Sequence, residues 1–201
     1  MAAPLKHEVF HPEGDGTALV FLPGRGGNAI TLMQQYAGRG LENKTKIAMH
    51  PVKEWYPSPR GPADQKGAVA GLAQMGVKFN EYIKEVLDGL KIVPEKVSLI
   101  GFSAGAVVAL QAASVAPWKY ASVMFHNGCV LDPNILGENK HDLHVRVYHS
   151  KDDIVFGWNE RYVPTKEALK AKGYRAVYKE KDHGGHSILT EDIVDAVLTL
   201  K

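Results

Sequence analysis

A chain of 201 residues, 45% of them hydrophobic, is long enough for one buried core and too short for two comfortable domains, so we expect a single domain over residues 1–201. The 24 basic and 22 acidic residues are scattered and leave a net charge of +2, which argues against nucleic acid or an anionic membrane as partner and favours a small molecule. No segment approaches the roughly 18 apolar residues of a membrane span, and the N-terminus lacks the apolar run of a signal peptide. With one cysteine, Cys129, we expect a soluble, cytoplasmic protein without stable membrane insertion.

Short apolar runs alternate with helical patterns along the chain. Strands are predicted at residues 7–10, 18–22, 46–50, 97–101, 122–125, 145–149 and 175–179, and helices at about 69–90, 104–116, 159–172 and 190–200. This alternation predicts an α/β fold with a mostly parallel central sheet and helices on both faces. Because ligands bind at the carboxyl ends of the strands in such sheets, candidate functional residues are sought directly after each strand.

The segment GFSAG, Gly101 to Gly105, follows the fourth predicted strand and opens a helix. It fits the pattern G-x-S-x-G, in which glycines relieve crowding at a sharp turn and the serine hydroxyl is exposed as a nucleophile. The alternative is a structural Ser103 whose side chain caps the helix. Ser103 is therefore a candidate nucleophile that needs an acid and a base elsewhere in the chain.

Two aspartates follow the strand at 145–149 and are candidates for the acid. We favour Asp152, because D-x-I-V is the common form of this acid turn, with Ile154 and Val155 returning to the core behind it. Asp153 is the immediate competitor, and one of the two is expected to be a solvated residue.

Two histidines, His183 and His186, lie in a glycine-rich loop before the last predicted helix. We favour His186 as the base, since Gly185 precedes it and an apolar segment follows, and we interpret His183 as an exposed loop residue. His144 and His149 are five residues apart on one strand, so they point to opposite faces and cannot share a metal ion. We expect no metal and no cofactor.

A glycine-rich turn after the second strand, Gly24 to Asn28, allows close approach of the backbone to a ligand. Together with the first residue after the nucleophile, it predicts an oxyanion hole formed by the backbone amides of Arg25 and Ala104. A phosphate cradle is disfavoured, because neither G-x-G-x-x-G nor a Walker lysine motif is present.

The order serine, acid, histidine is that of the α/β-hydrolases. Residues 19–198 resemble the small carboxylesterase and phospholipase family of these enzymes, which includes acyl-protein thioesterases. The similar motifs are LPGRG at 22–26, the segment at 51–56, GFSAG at 101–105, the acid turn at 152–156 and Gly-His at 185–186. The resemblance implies nucleophile Ser103, acid Asp152, base His186 and oxyanion donors at Arg25 and Ala104.

Substrate preference is less constrained by the sequence. Pro23, Ala104 and Phe156 depart from the family pattern, which argues against long-chain deacylation of proteins. A proline-rich loop at residues 55–62 is expected over the site, without a large lid. Trp55, Tyr56 and Trp158 are candidate pocket residues, and Arg25 and Arg60 are candidate contacts for a carboxylate.

We therefore expect a serine hydrolase acting on carboxylic esters, thioesters or lysophospholipids. A catalytically silent small-ligand binder on the same fold and a peptidase with the same three residues are the alternatives, and a homodimer is left open.

Overall fold

The computed structural model describes residues 4–58 and 64–200. Seven strands form one sheet in the order β1-β3-β2-β4-β5-β6-β7. The bounds are β1 Leu5–Phe10, β2 Ala18–Leu22, β3 Thr45–Pro51, β4 Val97–Phe102, β5 Ser122–His126, β6 His144–Ser150 and β7 Val177–Lys181. Among the described strands, only β1 pairs antiparallel, with β3, and every other pair is parallel. The predicted mostly parallel sheet is confirmed.

The central strands are covered on both faces, as their continuous apolar sequences predict. All five residues of β2 and of β5 are buried. The edge strand β7 reads VYKEK and is only partly buried. It begins at Val177, two residues later than predicted, because its polar composition gives a weak strand pattern.

In the part of the chain that the structure describes, five α-helices cover the sheet: α1 Ala29–Gln34, α2 Gln65–Leu90, α3 Ala104–Val115, α4 Val163–Ala171 and α5 Thr190–Leu200. Apolar residues of α2, α3 and α4 share one core with one face of the sheet. Those of α1 and α5 pack on the other face. The short helix α1 was not predicted from the sequence, and it begins after Asn28, whose side chain accepts hydrogen bonds from the first-turn amides of Ile30 and Thr31.

Two short helical turns complete the described residues: a 3₁₀ turn at Pro94–Lys96, and a turn at Trp158–Tyr162 that has π geometry and leads into α4. Among the helices within residues 4–58 and 64–200, none combines the length and apolarity that a membrane span requires. The loop predicted at 55–62 falls partly on residues 59–63, so that part and Arg60 lie outside the described residues.

Candidate active site

Ser103 occupies a strained turn between β4 and α3. Its backbone has φ 54° and ψ −123°, a region that non-glycine residues rarely adopt. The glycines on either side of Ser103 are required because a larger side chain would collide with neighbouring backbone. A Cβ atom on Gly101 would lie 2.4 Å from Ala106 Cα, and one on Gly105 would lie 2.2 Å from the carbonyl oxygen of Leu22. The glycines of G-x-S-x-G therefore let α3 pack tightly against β4 and β2 while the turn presents the serine.

The Ser103 hydroxyl faces a histidine rather than the helix. Its Oγ makes no capping hydrogen bond to α3 and lies 2.9 Å from His186 Nε2. The other ring nitrogen, Nδ1, lies 2.9 Å from Asp153 Oδ2. The structure thus brings Ser103 and His186 together with an aspartate in one chain of hydrogen bonds.

The carboxylate beside His186 belongs to Asp153, not to Asp152, which corrects the sequence-based assignment. The Asp153 side chain is 0% exposed. Burial raises its pKa, but hydrogen bonds from His186 and from two backbone amides outweigh burial, and the net pKa lies below its ordinary value. Asp153 is therefore held as a buried carboxylate against the imidazole.

The turn after β6 explains which aspartate points inward. Asp153 Oδ1 accepts hydrogen bonds from the amides of Val155 and Phe156, at 2.8 and 3.0 Å. The carbonyl oxygen of Phe156 in turn accepts a hydrogen bond from His149 Nε2, at 2.9 Å. This tight turn leaves Ile154 93% and Val155 55% exposed, so the expectation that both return to the core is wrong.

Asp152 and Asn127 hold the loop that carries the histidine. The Asp152 carboxylate accepts hydrogen bonds from the amides of Gly184 and Gly185, at 3.3 and 2.8 Å. The buried Asn127 side chain donates to the carbonyl oxygens on both sides of His186, at 3.2 and 2.8 Å. Gly184 and Gly185 have φ angles of 150° and 57°, which favour glycine. Together these contacts fix the backbone around His186, and sequence reasoning missed Asn127.

His183 lies in the same loop and points away. Its side chain is 91% exposed and its Nδ1 is 3.6 Å from an Asp152 oxygen. It does not contact Ser103.

The two amides expected to form an oxyanion hole belong to residues that line the cavity at Ser103. Neither the Arg25 amide nor the Ala104 amide has a hydrogen-bond partner within residues 4–58 and 64–200. A Cβ atom on Gly24 would lie 3.1 Å from Ser103 Cβ, so this glycine permits the approach of the early loop to the serine. The arrangement is suited to stabilising negative charge beside the serine.

The cavity at Ser103 has a volume of about 440 Å³ and a wall of both polar and apolar residues. Tyr56 lines it, as predicted from the sequence, and burial raises the pKa of its hydroxyl. Trp55 does not line it, because its buried indole donates to the Pro23 carbonyl oxygen at 2.8 Å. Trp158 also lies outside the wall and packs on Tyr162, with ring centroids 4.5 Å apart.

Sequence reasoning found the catalytic part of the wall and Tyr56 but proposed none of its other residues as a pocket contact. Its other members include Phe102, Leu131, Phe156 and Arg161. The Phe102 and Phe156 rings lie 5.1 and 5.7 Å from the His186 ring, between centroids, and shield the imidazole. Among the residues that the structure describes, no group of three or more His, Cys, Asp or Glu side chains could hold a metal ion.

Comparisons with known proteins find relatives of this chain in sequence and in fold. Residues 17–200 match the family model described as phospholipase/carboxylesterase. Over 126 residues, 61% of this chain, the sequence is 29% identical to acyl-protein thioesterase 1 of Saccharomyces cerevisiae, and the match spans 50% of that protein's length.

Solved structures share the fold. A carboxylesterase of Bacillus cereus is 17% identical, with a TM-score of 0.81 over 98% of this chain and 93% of that chain. Acyl-protein thioesterase 2 of Zea mays is 19% identical, with a TM-score of 0.71 over 98% of this chain and 99% of that chain. At these identities the similarity shows the fold alone.

Proposed function

Because the chain belongs to the phospholipase/carboxylesterase family, we propose that it is a serine hydrolase that cleaves carboxylic esters through an acyl-enzyme. The observation that carries the proposal is the hydrogen-bonded series from Ser103 through His186 to Asp153, with both contacts at 2.9 Å. A serine hydroxyl is a weak nucleophile until a base accepts its proton, and this series supplies the base and the group that orients it.

In the first half of the reaction, Ser103 Oγ attacks the ester carbonyl carbon while His186 Nε2 accepts the hydroxyl proton. The amides of Arg25 and Ala104 donate to the carbonyl oxygen as it becomes negative. Asp153 keeps the proton on His186 Nδ1 and stabilises the imidazolium that forms. The tetrahedral intermediate then expels the alcohol, which takes the proton from Nε2, and an acyl ester on Ser103 remains.

In the second half, a water molecule attacks the acyl carbon and gives a proton to His186. The same two amides stabilise the second oxyanion. Collapse of the intermediate breaks the bond to Ser103 Oγ, which recovers its proton from the imidazolium, and the carboxylic acid leaves. The net reaction consumes one ester and one water and needs no cofactor.

The size and lining of the cavity support a small-molecule ester as substrate. Its volume of about 440 Å³ is within the range of small-ligand sites, and Leu131, Phe156 and Tyr56 provide apolar surface. Thioesters and lysophospholipids contain the same electrophilic carbonyl and are included in the proposal. The thioesterase named above supports the thioester, although this chain spans about half of that protein's length.

The test compares wild type, Ser103→Ala and a control, Thr199→Ala, on 4-nitrophenyl butyrate. Thr199 carries an exposed hydroxyl on α5, bonded to the carbonyl oxygen of Asp195. We expect Ser103→Ala to lower kcat at least about 1,000-fold and Thr199→Ala to leave it unchanged. Unchanged turnover in Ser103→Ala, at an unaltered melting temperature, would refute the role of Ser103 as nucleophile. No turnover in wild type would favour the catalytically silent binder.

A further inference from the structure

The cavity at Ser103 contains two arginines with different surroundings. The Arg25 guanidinium lies 2.9 Å from a Glu54 carboxylate oxygen and 3.4 Å from the Tyr56 carbonyl oxygen, so its charge is paired. The Arg161 guanidinium has no carboxylate or hydrogen-bond partner within residues 4–58 and 64–200. Arg161 is therefore the unpaired cation of the described cavity wall.

No described residue of that wall is acidic. The nearby carboxylate of Asp153 is fully buried, and its oxygens accept from His186 and from two backbone amides. Both oxygens of Asp153 are therefore already hydrogen-bonded, on the side of the imidazole away from Ser103. Within residues 4–58 and 64–200, the charge that Arg161 brings to the cavity therefore has no carboxylate partner.

The backbone that carries Arg161 is held in place. Its amide and that of Tyr162 both donate to the Gly157 carbonyl oxygen, at 2.9 and 3.2 Å, in the π-helical turn before α4. The Arg161 carbonyl oxygen accepts from Thr165 Oγ1 at 2.7 Å. Single π turns are rare and frequently lie at functional sites. The turn fixes where the arginine side chain leaves the backbone.

The charge of Arg161 also reaches another residue of the cavity wall, Tyr56. Burial raises the pKa of Tyr56, and the positive charges of Arg25 and Arg161 both oppose that rise. The guanidinium therefore lies within electrostatic range of the space in which a substrate would sit.

We propose that Arg161 binds an anionic group of the substrate, so that the preferred substrates are esters that carry a carboxylate or a phosphate at a distance from the reacting carbonyl. A guanidinium binds either group through paired, charge-assisted hydrogen bonds. The anion takes no part in bond making: ester and water give acid and alcohol through Ser103, as above. The inference rests on the proposed hydrolase activity and names its substrate class.

Two matched pairs of esters test the preference and separate the two anions. Ethyl butyrate and monoethyl succinate differ by a carboxylate in place of a terminal methyl group on the acyl part. 1-Butyrylglycerol and 1-butyrylglycerol 3-phosphate differ by a phosphate on the alcohol part. Acid release in a pH-stat gives kcat/KM for all four, and the ratio of charged to neutral ester within each pair is the readout.

We expect wild type to prefer the charged member of at least one pair by about 10- to 100-fold, the range of a charge-assisted hydrogen-bonded contact. Arg161→Gln should reduce that ratio to near one, and Arg161→Lys should retain part of it. Arg175→Gln is the matched control, since Arg175 is 84% exposed and paired with Asp142. It should leave the ratio unchanged. Because each ratio is measured within one variant, partial unfolding cannot produce the result.

Failure of this inference differs from failure of the proposed function. If wild type hydrolyses the neutral esters in a Ser103-dependent manner but shows no charge preference, or if Arg161→Gln keeps the preference, Arg161 does not select the substrate. If wild type hydrolyses none of the four esters, both proposals are wrong.

Discussion

Substituting Asn for each of the two adjacent aspartates in turn gives a matched pair of variants. In Asp153→Asn, one side-chain atom must still accept from the amides of Val155 and Phe156, as Asp153 Oδ1 does now. The amide oxygen of the new side chain takes that place, and its NH₂ group then faces His186 Nδ1. An NH₂ group opposite Nδ1 favours the tautomer with the proton on Nε2, which cannot accept a proton from Ser103.

The wrong tautomer and the loss of the buried negative charge together predict a decrease in kcat of about 10⁴-fold for Asp153→Asn. In Asp152→Asn, the remaining side-chain oxygen can still accept from the Gly185 amide, now at 2.8 Å, and the site is exposed to water. Loss of the charge there weakens one hydrogen bond, so we expect a decrease of at most about tenfold.

The assay is hydrolysis of 4-nitrophenyl butyrate at one fixed pH for all variants, with a melting curve for each variant. Equal losses in the two variants, or a larger loss in Asp152→Asn at matched melting temperatures, would refute the role of Asp153.

The tight packing at the serine turn predicts that Gly105→Ala, whose Cβ would lie 2.2 Å from the Leu22 carbonyl oxygen, lowers the free energy of unfolding by at least about 3 kcal/mol. The control is Gly67→Ala in α2, where a Cβ meets nothing within 4 Å and the free energy of unfolding should rise by about 0.5–1 kcal/mol. Urea unfolding measures both variants, and equal effects would contradict the packing argument. Burial lowers the pKa of His126 from 6.5 to about 3, so between these pH values the unfolded chain binds a proton that the folded protein does not. The contribution of neutral His126 to the free energy of unfolding is fully present above pH 6.5 and is lost on acidification by about 1.4 kcal/mol per pH unit. In urea unfolding, His126→Gln should therefore show a shallower dependence of stability on pH than wild type. Identical slopes would contradict this role of His126.

The fold class could be predicted from the sequence because continuous apolar segments indicate buried strands and apolar residues at helical spacing indicate helices with one buried face. The buried residues of β2 form a continuous apolar segment, and β5 has an apolar centre from Val123 to Phe125. The glycines around Ser103 are required because a side chain there would collide with neighbouring backbone. The position of the serine turn follows from the same local pattern. These features depend on neighbouring residues in the chain, which the sequence shows.

The choice between Asp152 and Asp153 could not be made from the sequence. Both follow β6, and the match to D-x-I-V favoured the first. Which one faces the histidine depends on a turn that closes when Asp153 accepts two backbone amides, and that turn leaves the apolar Ile154 exposed. An apolar residue such as Ile154 predicts burial, whereas the structure leaves it exposed.

The cavity wall could be predicted only in part from the sequence, which identified Tyr56 but not Leu131 or Arg161. Trp55 and Trp158 were candidates because they are aromatic, yet their rings are used in packing and in a hydrogen bond to the backbone. Arg161 enters the cavity from a π-helical turn, a geometry for which the sequence pattern of α4 gave no signal. Contacts between distant segments decide which side chains face the cavity.

The proposal that Ser103 is an activated nucleophile is tested most directly by covalent labelling. A fluorophosphonate reacts only with a serine whose hydroxyl proton is removed by a base, and peptide mass spectrometry identifies the modified residue. We predict one adduct per chain, on the peptide that contains Ser103, and no adduct in Ser103→Ala. An unmodified wild-type protein, or an adduct on another residue, would contradict the proposed mechanism.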